Sequence, residues 1–321
     1  MPLNPATLDK IVMALLLSVF LTACTGGGGP LPPNNACGSL LPGDSCISIE
    51  FPADSGEFRH FILHVPAPPS PSPSSDDTAK PLLIALHGAG YHANEFNDLF
   101  RFDSLSNSYG YIVATAESTA RPTDGNKVWN TQGADRIPNV DDVGFILAII
   151  DKLSAEYAID MDGINLFGWS NGGFMSSRLA CEHPEIFASM FTFAGHIRQD
   201  LTECSSAGSV AVSYLHGTSD TLVPYDGGEG RYLPSTYAIE QWAQKNACTL
   251  DLVHRESYDF TPDLSGEETE LLEYRGCVAP VQHLKVNGGG HVPRSFNLAM
   301  FHRVMDDFMK SAKPAGVANR E

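Results

Sequence analysis

The chain has 321 residues, of which 43% are hydrophobic and 18% are charged. This composition suits one large globular domain, although the length alone would also allow two. Acidic residues outnumber basic residues by 38 to 20, which gives a net charge of −18 at pH 7. Such a surface repels nucleic-acid phosphates and anionic lipid head groups, so we expect no nucleic-acid partner.

The N-terminus predicts export. Lys10 precedes an apolar run over residues 11–23, which is shorter than the about 20 residues that span a bilayer but fits a secretory signal. The run ends in Leu21-Thr22-Ala23-Cys24, which resembles the bacterial lipobox, where the signal is removed before a cysteine that is then acylated. We therefore expect residues 1–23 to be a lipoprotein signal peptide and Cys24 to carry a membrane anchor. The alternative is an ordinary secretory signal and a secreted or periplasmic protein.

The segments that follow are interpreted as a tether at residues 24–36, a catalytic domain at 37–312 and a short tail at 313–321. The tether is rich in glycine and proline, and such a composition forms no core element. With an anchor of this kind, the outer membrane or the cell surface is the expected location.

Disulfides are expected because an exported protein folds in an oxidising compartment. Of the seven cysteines, setting Cys24 aside leaves an even number. Pairing of nearest neighbours along the chain predicts three bonds, namely Cys37–Cys46, Cys181–Cys204 and Cys248–Cys277. A metal site is the alternative, but no C-x-x-C motif or His/Cys cluster favours it, so we expect neither metal nor cofactor.

The apolar patterns predict strands that alternate with helices. A loop rich in proline, serine and aspartate at residues 67–79 separates the first strand from the rest. The predicted strands are 58–65, 81–86, 111–115, 164–167, 190–193, 210–215 and 281–286, and the predicted helices are 141–157, 172–182, 236–246 and 297–310. This alternation indicates an α/β fold with a mostly parallel sheet and helices on both faces.

A candidate nucleophile lies between one predicted strand and the next helix. The run Gly168-Trp169-Ser170-Asn171-Gly172 fits G-x-S-x-G, in which the serine sits on a sharp turn that requires glycines on either side. The pattern alone also fits a serine in a structural turn. The strand before it and the helix after it favour the nucleophile.

A serine nucleophile needs a histidine base that is oriented by a carboxylate, and in this kind of fold the order along the chain is Ser, Asp, His. Asp220 follows the strand at 210–215, and Asp226 is its nearest rival. His291 follows the last strand and three glycines. The remaining histidines are weaker candidates, because they lie within elements or too early in the chain; they are His196, His216, His283 and His302.

The negative oxygen of a tetrahedral intermediate must also be held, usually by two backbone N–H groups. One is expected from Asn171, which follows the nucleophile. The other is expected from the loop after Leu86, in His87-Gly88-Ala89-Gly90. We choose Ala89, with Gly90 as the alternative.

Taken together, these motifs resemble the bacterial feruloyl-esterase and polyhydroxybutyrate-depolymerase-like esterases of carbohydrate esterase family 1. The resemblance covers about residues 50–310. The matching segments are 86–88, 140–145, 168–173, 216–220 with 223–225, and 288–291. It implies an α/β-hydrolase fold, a triad of Ser170, Asp220 and His291, and metal-free hydrolysis of carboxylic esters through an acyl-enzyme. Cys248 and Cys277 also lie where such enzymes often carry a pair.

Two departures from the family pattern bear on the substrate. Relatives often carry Trp shortly after the histidine, whereas Val-Pro-Arg follows His291 here, and polyester-cleaving relatives often carry Cys at the position of Ala89. Both favour feruloyl or acetyl esters over a polyester, which stays the alternative. Tyr91, Trp129 and Trp169 are predicted to line an acyl pocket, with packing in the core as the alternative for each.

Two other function classes fit part of the sequence. The run Gly-Trp-Ser-x-Gly-Gly also occurs in serine peptidases of the prolyl-oligopeptidase kind, which carry a large additional domain. We expect no room for that domain in a catalytic domain at residues 37–312. A non-catalytic surface lipoprotein is the third possibility, but binding alone would not require the Ser, Asp, His order.

Overall fold

The computed structural model describes residues 38–51, 57–67, 78–121, 123–131, 137–197, 204, 208–228, 231–292 and 295–312. Several predictions lie outside these ranges: the signal peptide at 1–23, the lipidation site Cys24, the tether at 24–36, Cys37 and the tail at 313–321. Most of the predicted loop at 67–79 also lies outside them.

A ten-stranded sheet organises the structure, in the order β1-β2-β4-β3-β7-β8-β9-β12-β11-β10. Its six central strands, from β4 to β12, run parallel to one another, and antiparallel strands complete both edges. The strands are β1 (Asp44–Phe51), β2 (Glu57–His64), β3 (Lys80–Leu86), β4 (Ile112–Ala116), β7 (Ile159–Trp169), β8 (Ser189–Phe193), β9 (Ala211–Gly217), β10 (Leu252–Tyr258), β11 (Thr269–Tyr274) and β12 (Val281–Val286). A separate two-stranded sheet pairs β5 (Thr119–Ala120) with β6 (Lys127–Val128).

Helices cover both faces of the large sheet. They are α1 (Ala93–Phe100), α2 (Phe102–Tyr109), α3 (Asp142–Glu156), α4 (Asn171–Glu182), α5 (Ser235–Lys245) and α6 (Leu298–Ser311). An apolar cluster lies between the sheet and the helices on each face. One contains residues of α3, α4 and α5, and the other contains residues of α1, α2 and α6. Strand β3 supplies both, because alternate side chains point to opposite faces: Leu82, Ile84 and Leu86 join the first cluster, and Leu83 and Ala85 join the second.

The predicted mostly parallel sheet with helices on both faces is confirmed. Each predicted strand and helix matches an observed one, with ends that differ by at most two residues except in β7, which starts five residues earlier than 164. Other observed elements were not predicted from the sequence, namely β1, α1, α2, β10, β11 and the short pair β5 and β6. Strand β10 has mostly exposed side chains and therefore no apolar run, and α1 and α2 are only eight residues long, separated by Arg101 at a φ of 49°.

Two of the three predicted disulfides are present. Cys181, at the end of α4, is bonded to Cys204, and Cys248, after α5, is bonded to Cys277, before β12. The pairing Cys37–Cys46 stays a prediction because Cys37 lies outside the described residues. No helix within the described ranges combines the length and the apolar composition that crossing a bilayer requires.

Candidate active site

Ser170 occupies the single position between β7 and α4. Strand β7 ends at Trp169 and α4 begins at Asn171, so the chain turns sharply at the serine. Its φ of 53° and ψ of −118° are unusual for a residue with a side chain, and such a conformation costs about 1–3 kcal/mol. The surrounding backbone holds this turn in place.

Three glycines show how tightly the turn is packed. A Cβ on Gly168 would collide with the carbonyl oxygen of Gly172, and one on Gly172 would collide with the carbonyl oxygen of Leu86 at the end of β3. A Cβ on Gly195, after β8, would collide with the carbonyl oxygen of Ser170 itself. The glycines on either side of the serine are therefore required by close approach of backbones.

The structure brings Ser170, His291 and Asp220 together. His291 Nε2 lies 2.9 Å from Ser170 Oγ, and His291 Nδ1 lies 2.7 Å from Asp220 Oδ2. Because a carboxylate only accepts hydrogen bonds, Nδ1 carries the proton and Nε2 accepts from the serine hydroxyl. Residues that are 121 and 71 positions apart in the chain thus form a continuous chain of hydrogen bonds.

Asp220 is buried, at 5% exposure, and its carboxylate is fully engaged. Oδ1 accepts from the backbone N–H groups of Leu222 and Val223 at 2.8 and 2.9 Å. Burial alone would raise the pKa of Asp220, but hydrogen bonds from His216, His291 and the Val223 amide outweigh it and hold the pKa well below its usual range. The carboxylate therefore stays ionised at neutral pH.

The loops that carry the acid and the base are joined by backbone contacts. They follow β9 and β12, which are parallel neighbours in the sheet. Ser219 N–H donates to Gly289 O at 2.9 Å, and Gly288 N–H donates to Thr218 Oγ1 at 2.8 Å. A Cβ on Gly217 would collide with the same Gly289 oxygen, so the close approach of these loops depends on glycine.

The loop after β3 is fixed by hydrogen bonds that single out Ala89. Gly90 N–H donates to Lys127 O at 2.8 Å, and Tyr91 N–H donates to Gly88 O at 3.2 Å. Ala89 lies within the exposed turn that the second bond closes, and its N–H meets no acceptor among the described residues. Since the Gly90 amide is already used, the geometry favours Ala89 as the oxyanion donor from this loop.

His87 anchors the start of the same loop. Its Nε2 accepts from Ser118 N–H at 3.1 Å, and its Nδ1 donates to Gly88 O at 2.8 Å. Burial lowers the pKa of His87, in keeping with the neutral ring that this pattern requires. Its carbonyl oxygen accepts from the Trp129 indole N–H at 2.9 Å.

Asn171, the other predicted oxyanion residue, opens α4, so its backbone N–H lies at the positive end of the helix dipole. Its side chain binds a neighbouring segment of the backbone. Asn171 Oδ1 accepts from the backbone N–H of Trp129 at 2.6 Å, which ties the segment after β6 to the start of α4.

The two tryptophans predicted to line an acyl pocket do not do so. Trp129 has no exposed surface and Trp169 is 2% exposed, because their indoles fill the space beneath the loops of the site. The Trp169 N–H donates to His291 O at 3.0 Å, and its ring meets the Tyr91 ring edge-on at 4.7 Å. Of the three aromatic residues, Tyr91 alone is partly exposed and free to contact a substrate.

The rival acid and bases lie elsewhere. Asp226 is exposed and makes no hydrogen bond to a histidine among the described residues. His283 and His302 are buried within β12 and α6. His216 is different: its Nε2 lies 3.2 Å from Asp220 Oδ2, a contact that the sequence analysis missed. The four-residue spacing of His216 and Asp220 across the end of β9 was the available signal.

No group of three or more His, Cys, Asp or Glu side chains in the described part of the chain is arranged to hold a metal ion.

Comparisons with known proteins bear on the fold and on the class of protein. A model of the prolyl oligopeptidase family matches residues 100–221, a stretch that contains Ser170 and Asp220 and ends before His291. The solved acetyl xylan esterase from Aspergillus awamori superimposes with a TM-score of 0.57 over 83% of this chain and 99% of the other, at 17% identity. The chain has the α/β-hydrolase fold.

Sequence relatives extend the comparison. NocK from Nocardia uniformis subsp. tsuyamanensis, which its name describes as an esterase, is 28% identical over 67% of this chain. The match spans 65% of NocK, a little under two thirds of its length. Feruloyl esterase C from Aspergillus flavus is 28% identical over 72% of this chain and 76% of its own length. The predicted resemblance to esterases of this fold is confirmed.

The contact between the acid and base loops gives a paired prediction. Gly217→Ala forces a methyl group against Gly289 O and separates the two loops, so we expect kcat/KM for p-nitrophenyl acetate to fall by more than about 100-fold. The control is Gly290→Ala, at the residue before His291. Its new Cβ has nothing within 4 Å, so this variant should keep wild-type turnover. Equal turnover in both variants would contradict the contact.

Proposed function

We propose that the protein is an exported serine carboxylic ester hydrolase that works through an acyl-enzyme and acts on feruloyl or acetyl esters. The observation that carries this proposal is the hydrogen-bonded series from Ser170 Oγ through His291 to Asp220, at 2.9 and 2.7 Å, built on a serine with positive φ. The esterase relatives support the class of reaction.

In the first half of the reaction, Ser170 Oγ attacks the ester carbonyl carbon while His291 Nε2 takes the hydroxyl proton. The bond between carbon and the leaving oxygen then breaks, and His291 returns the proton to the departing alcohol. In the second half, a water molecule attacks the acyl-enzyme with His291 again as the base. The acid is released and Ser170 regains its proton.

Two backbone N–H groups, from Ala89 and Asn171, hold the oxygen of each tetrahedral intermediate. They belong to the loop after β3 and to the start of α4, whose backbones meet where Gly172 lies against Leu86 O. Preorganised donors of this kind need no rearrangement as negative charge develops, and each contributes about 100-fold or more to kcat. The many bonds that fix residues 87–91 supply this preorganisation.

The names of the relatives favour feruloyl and acetyl esters on plant polysaccharides, with a polyester as the alternative substrate. A serine peptidase is the second candidate, and the match to the prolyl oligopeptidase family supports it. That match covers 122 residues around the nucleophile and the acid, which esterases of the same fold also possess. The sequence relatives named above are esterases, so the ester reaction leads.

Four substrates separate these candidates. We expect the purified full chain to turn over p-nitrophenyl acetate and methyl ferulate, and neither a peptide amide nor polyhydroxybutyrate film. Ser170→Ala and Asp220→Asn should each lower kcat by about 10⁴-fold or more, because one loses the nucleophile and the other the correct histidine tautomer.

Circular dichroism would confirm that both variants are folded. Ester turnover that survives Ser170→Ala would rule out the mechanism, and turnover of the peptide amide alone would establish the peptidase instead. Turnover of the film would assign the polyester, and a folded chain inactive on all four substrates would point to the non-catalytic lipoprotein.

Export and lipid anchoring complete the proposal. Disulfides at Cys181–Cys204 and Cys248–Cys277 support folding in an oxidising compartment. The lipobox-like residues 21–24 direct removal of the signal peptide before Cys24, which becomes the new N-terminus and is acylated. More than one acyl chain gives firm attachment to a membrane. An outer-membrane or cell-surface location follows, with the alternative of a released periplasmic or secreted enzyme.

Replacement of the anchor residue tests this part. In a bacterial host, we expect the wild-type chain to incorporate labelled palmitate and to sediment with membranes, because Cys24 is acylated. Cys24→Ala should lose the label and appear in the soluble exported fraction with its ester turnover intact. A wild-type chain that takes up no label would show that residues 1–23 are an ordinary secretory signal.

A further inference from the structure

A second histidine contacts the carboxylate of the candidate triad. His216 lies near the end of β9 and is 1% exposed. Its Nε2 lies 2.9 Å from Val223 O and 3.2 Å from Asp220 Oδ2. A carbonyl and an ionised carboxylate only accept hydrogen bonds, so Nε2 must carry a proton and donate it to both oxygens.

Asp220 therefore accepts from donors on every side. Oδ1 receives the N–H groups of Leu222 and Val223, while Oδ2 receives His291 Nδ1–H and His216 Nε2–H. Rotation of the carboxylate would break two or more of these bonds at once. The plane of the carboxylate is fixed, with Oδ2 directed at His291.

We propose that His216 is a positioning residue for the triad: its Nε2–H holds Asp220 Oδ2 in the orientation that His291 Nδ1–H requires. The inference rests on the proposed function of Ser170, Asp220 and His291. Because His216 is buried beside Asp220, it acts through that carboxylate and not by contact with the substrate.

The donated hydrogen bond also bears on where the proton resides during the reaction. When Ser170 attacks, His291 becomes an imidazolium next to a buried carboxylate. Burial favours the protonated form of Asp220, and the bond from His216 opposes it. The proton therefore stays on His291, from which it can pass to the leaving alcohol.

Other titratable side chains pack around His216. Tyr225 packs on its ring at 5.5 Å, and burial, with Asp226 and Glu270 nearby, raises the pKa of Tyr225 to about 12. His283 stacks on Tyr225 at 5.6 Å, and burial lowers the pKa of His283 to about 3. His196 lies at 6.0 Å between ring centroids. His283 thus shares the surroundings of His216 without a hydrogen bond to Asp220, which makes it a matched control.

Three variants test the proposal. His216→Leu removes the donor, and we expect kcat for p-nitrophenyl acetate to fall by about 10- to 100-fold with KM unchanged, the effect of losing one hydrogen bond to a charged group. The acid limb of the kcat profile should also move to higher pH, since a carboxylate with one donor fewer attracts the proton of the base His291 more strongly. His216→Gln, whose amide nitrogen reaches the position of Nε2, should restore most of kcat. His283→Leu should leave kcat and the acid limb unchanged.

A readout that needs no turnover keeps this test separate from the proposed function. The downfield proton resonance of His291 Nδ1–H should shift in His216→Leu, return in His216→Gln, and stay in place in His283→Leu, all in a Ser170→Ala background. An unchanged resonance would overturn the proposal even if the enzyme is active. Equal loss of kcat in His216→Leu and His283→Leu would overturn it too, because it would show that His216 only packs the core. An inactive wild type that shows the expected shifts would reject the proposed function and leave the positioning role intact.

Discussion

The turn at Ser170 is the constraint on which the rest of the site depends. A residue with a side chain is held there at a positive φ, a conformation that the local sequence would not adopt unaided. The turn persists because three backbones meet around it: the end of β3 at Leu86, the start of α4 at Gly172, and the segment after β8 at Gly195. Parallel strands β3, β7 and β8 are hydrogen-bonded neighbours, so the sheet brings these three segments together. Packing of the two apolar clusters offsets the free-energy cost of the strained turn.

The acid and the base extend the same geometry across the sheet. Strands β9 and β12 follow β8 in the sheet and end at the same edge, so their loops reach Ser170 from one side. The contacts between these loops fix the Asp220–His291 pair before any substrate arrives. Trp169 adds a link from the nucleophile strand to the base through its bond to His291 O. The parts of the site therefore support one another through backbone and indole groups.

The sequence predicted features that local backbone chemistry dictates. Ser170, Asp220 and His291 were recognisable because each follows an apolar strand in a motif with specific glycines, and the parallel sheet brings strand ends together. Burial of Trp129 and Trp169 could not be predicted, since tertiary packing decides which face of an aromatic ring meets solvent. The role of His216 was missed because chain order excludes it as the base and says nothing of contacts to the acid. Strand β10 lacks an apolar run because its side chains are mostly exposed.

The most direct measurement of the central claim is covalent labelling of the full chain with a fluorophosphonate, followed by peptide mapping by mass spectrometry. The account predicts one adduct, on Ser170, because its hydroxyl lies 2.9 Å from a histidine whose other ring nitrogen is held by a buried carboxylate. Ser48 Oγ also lies 2.9 Å from a histidine nitrogen, that of His60, but it is outside this triad and should not react. Replacement of His291 by Ala should slow formation of the Ser170 adduct strongly. An adduct on another residue, or no adduct on the folded wild-type protein, would contradict it.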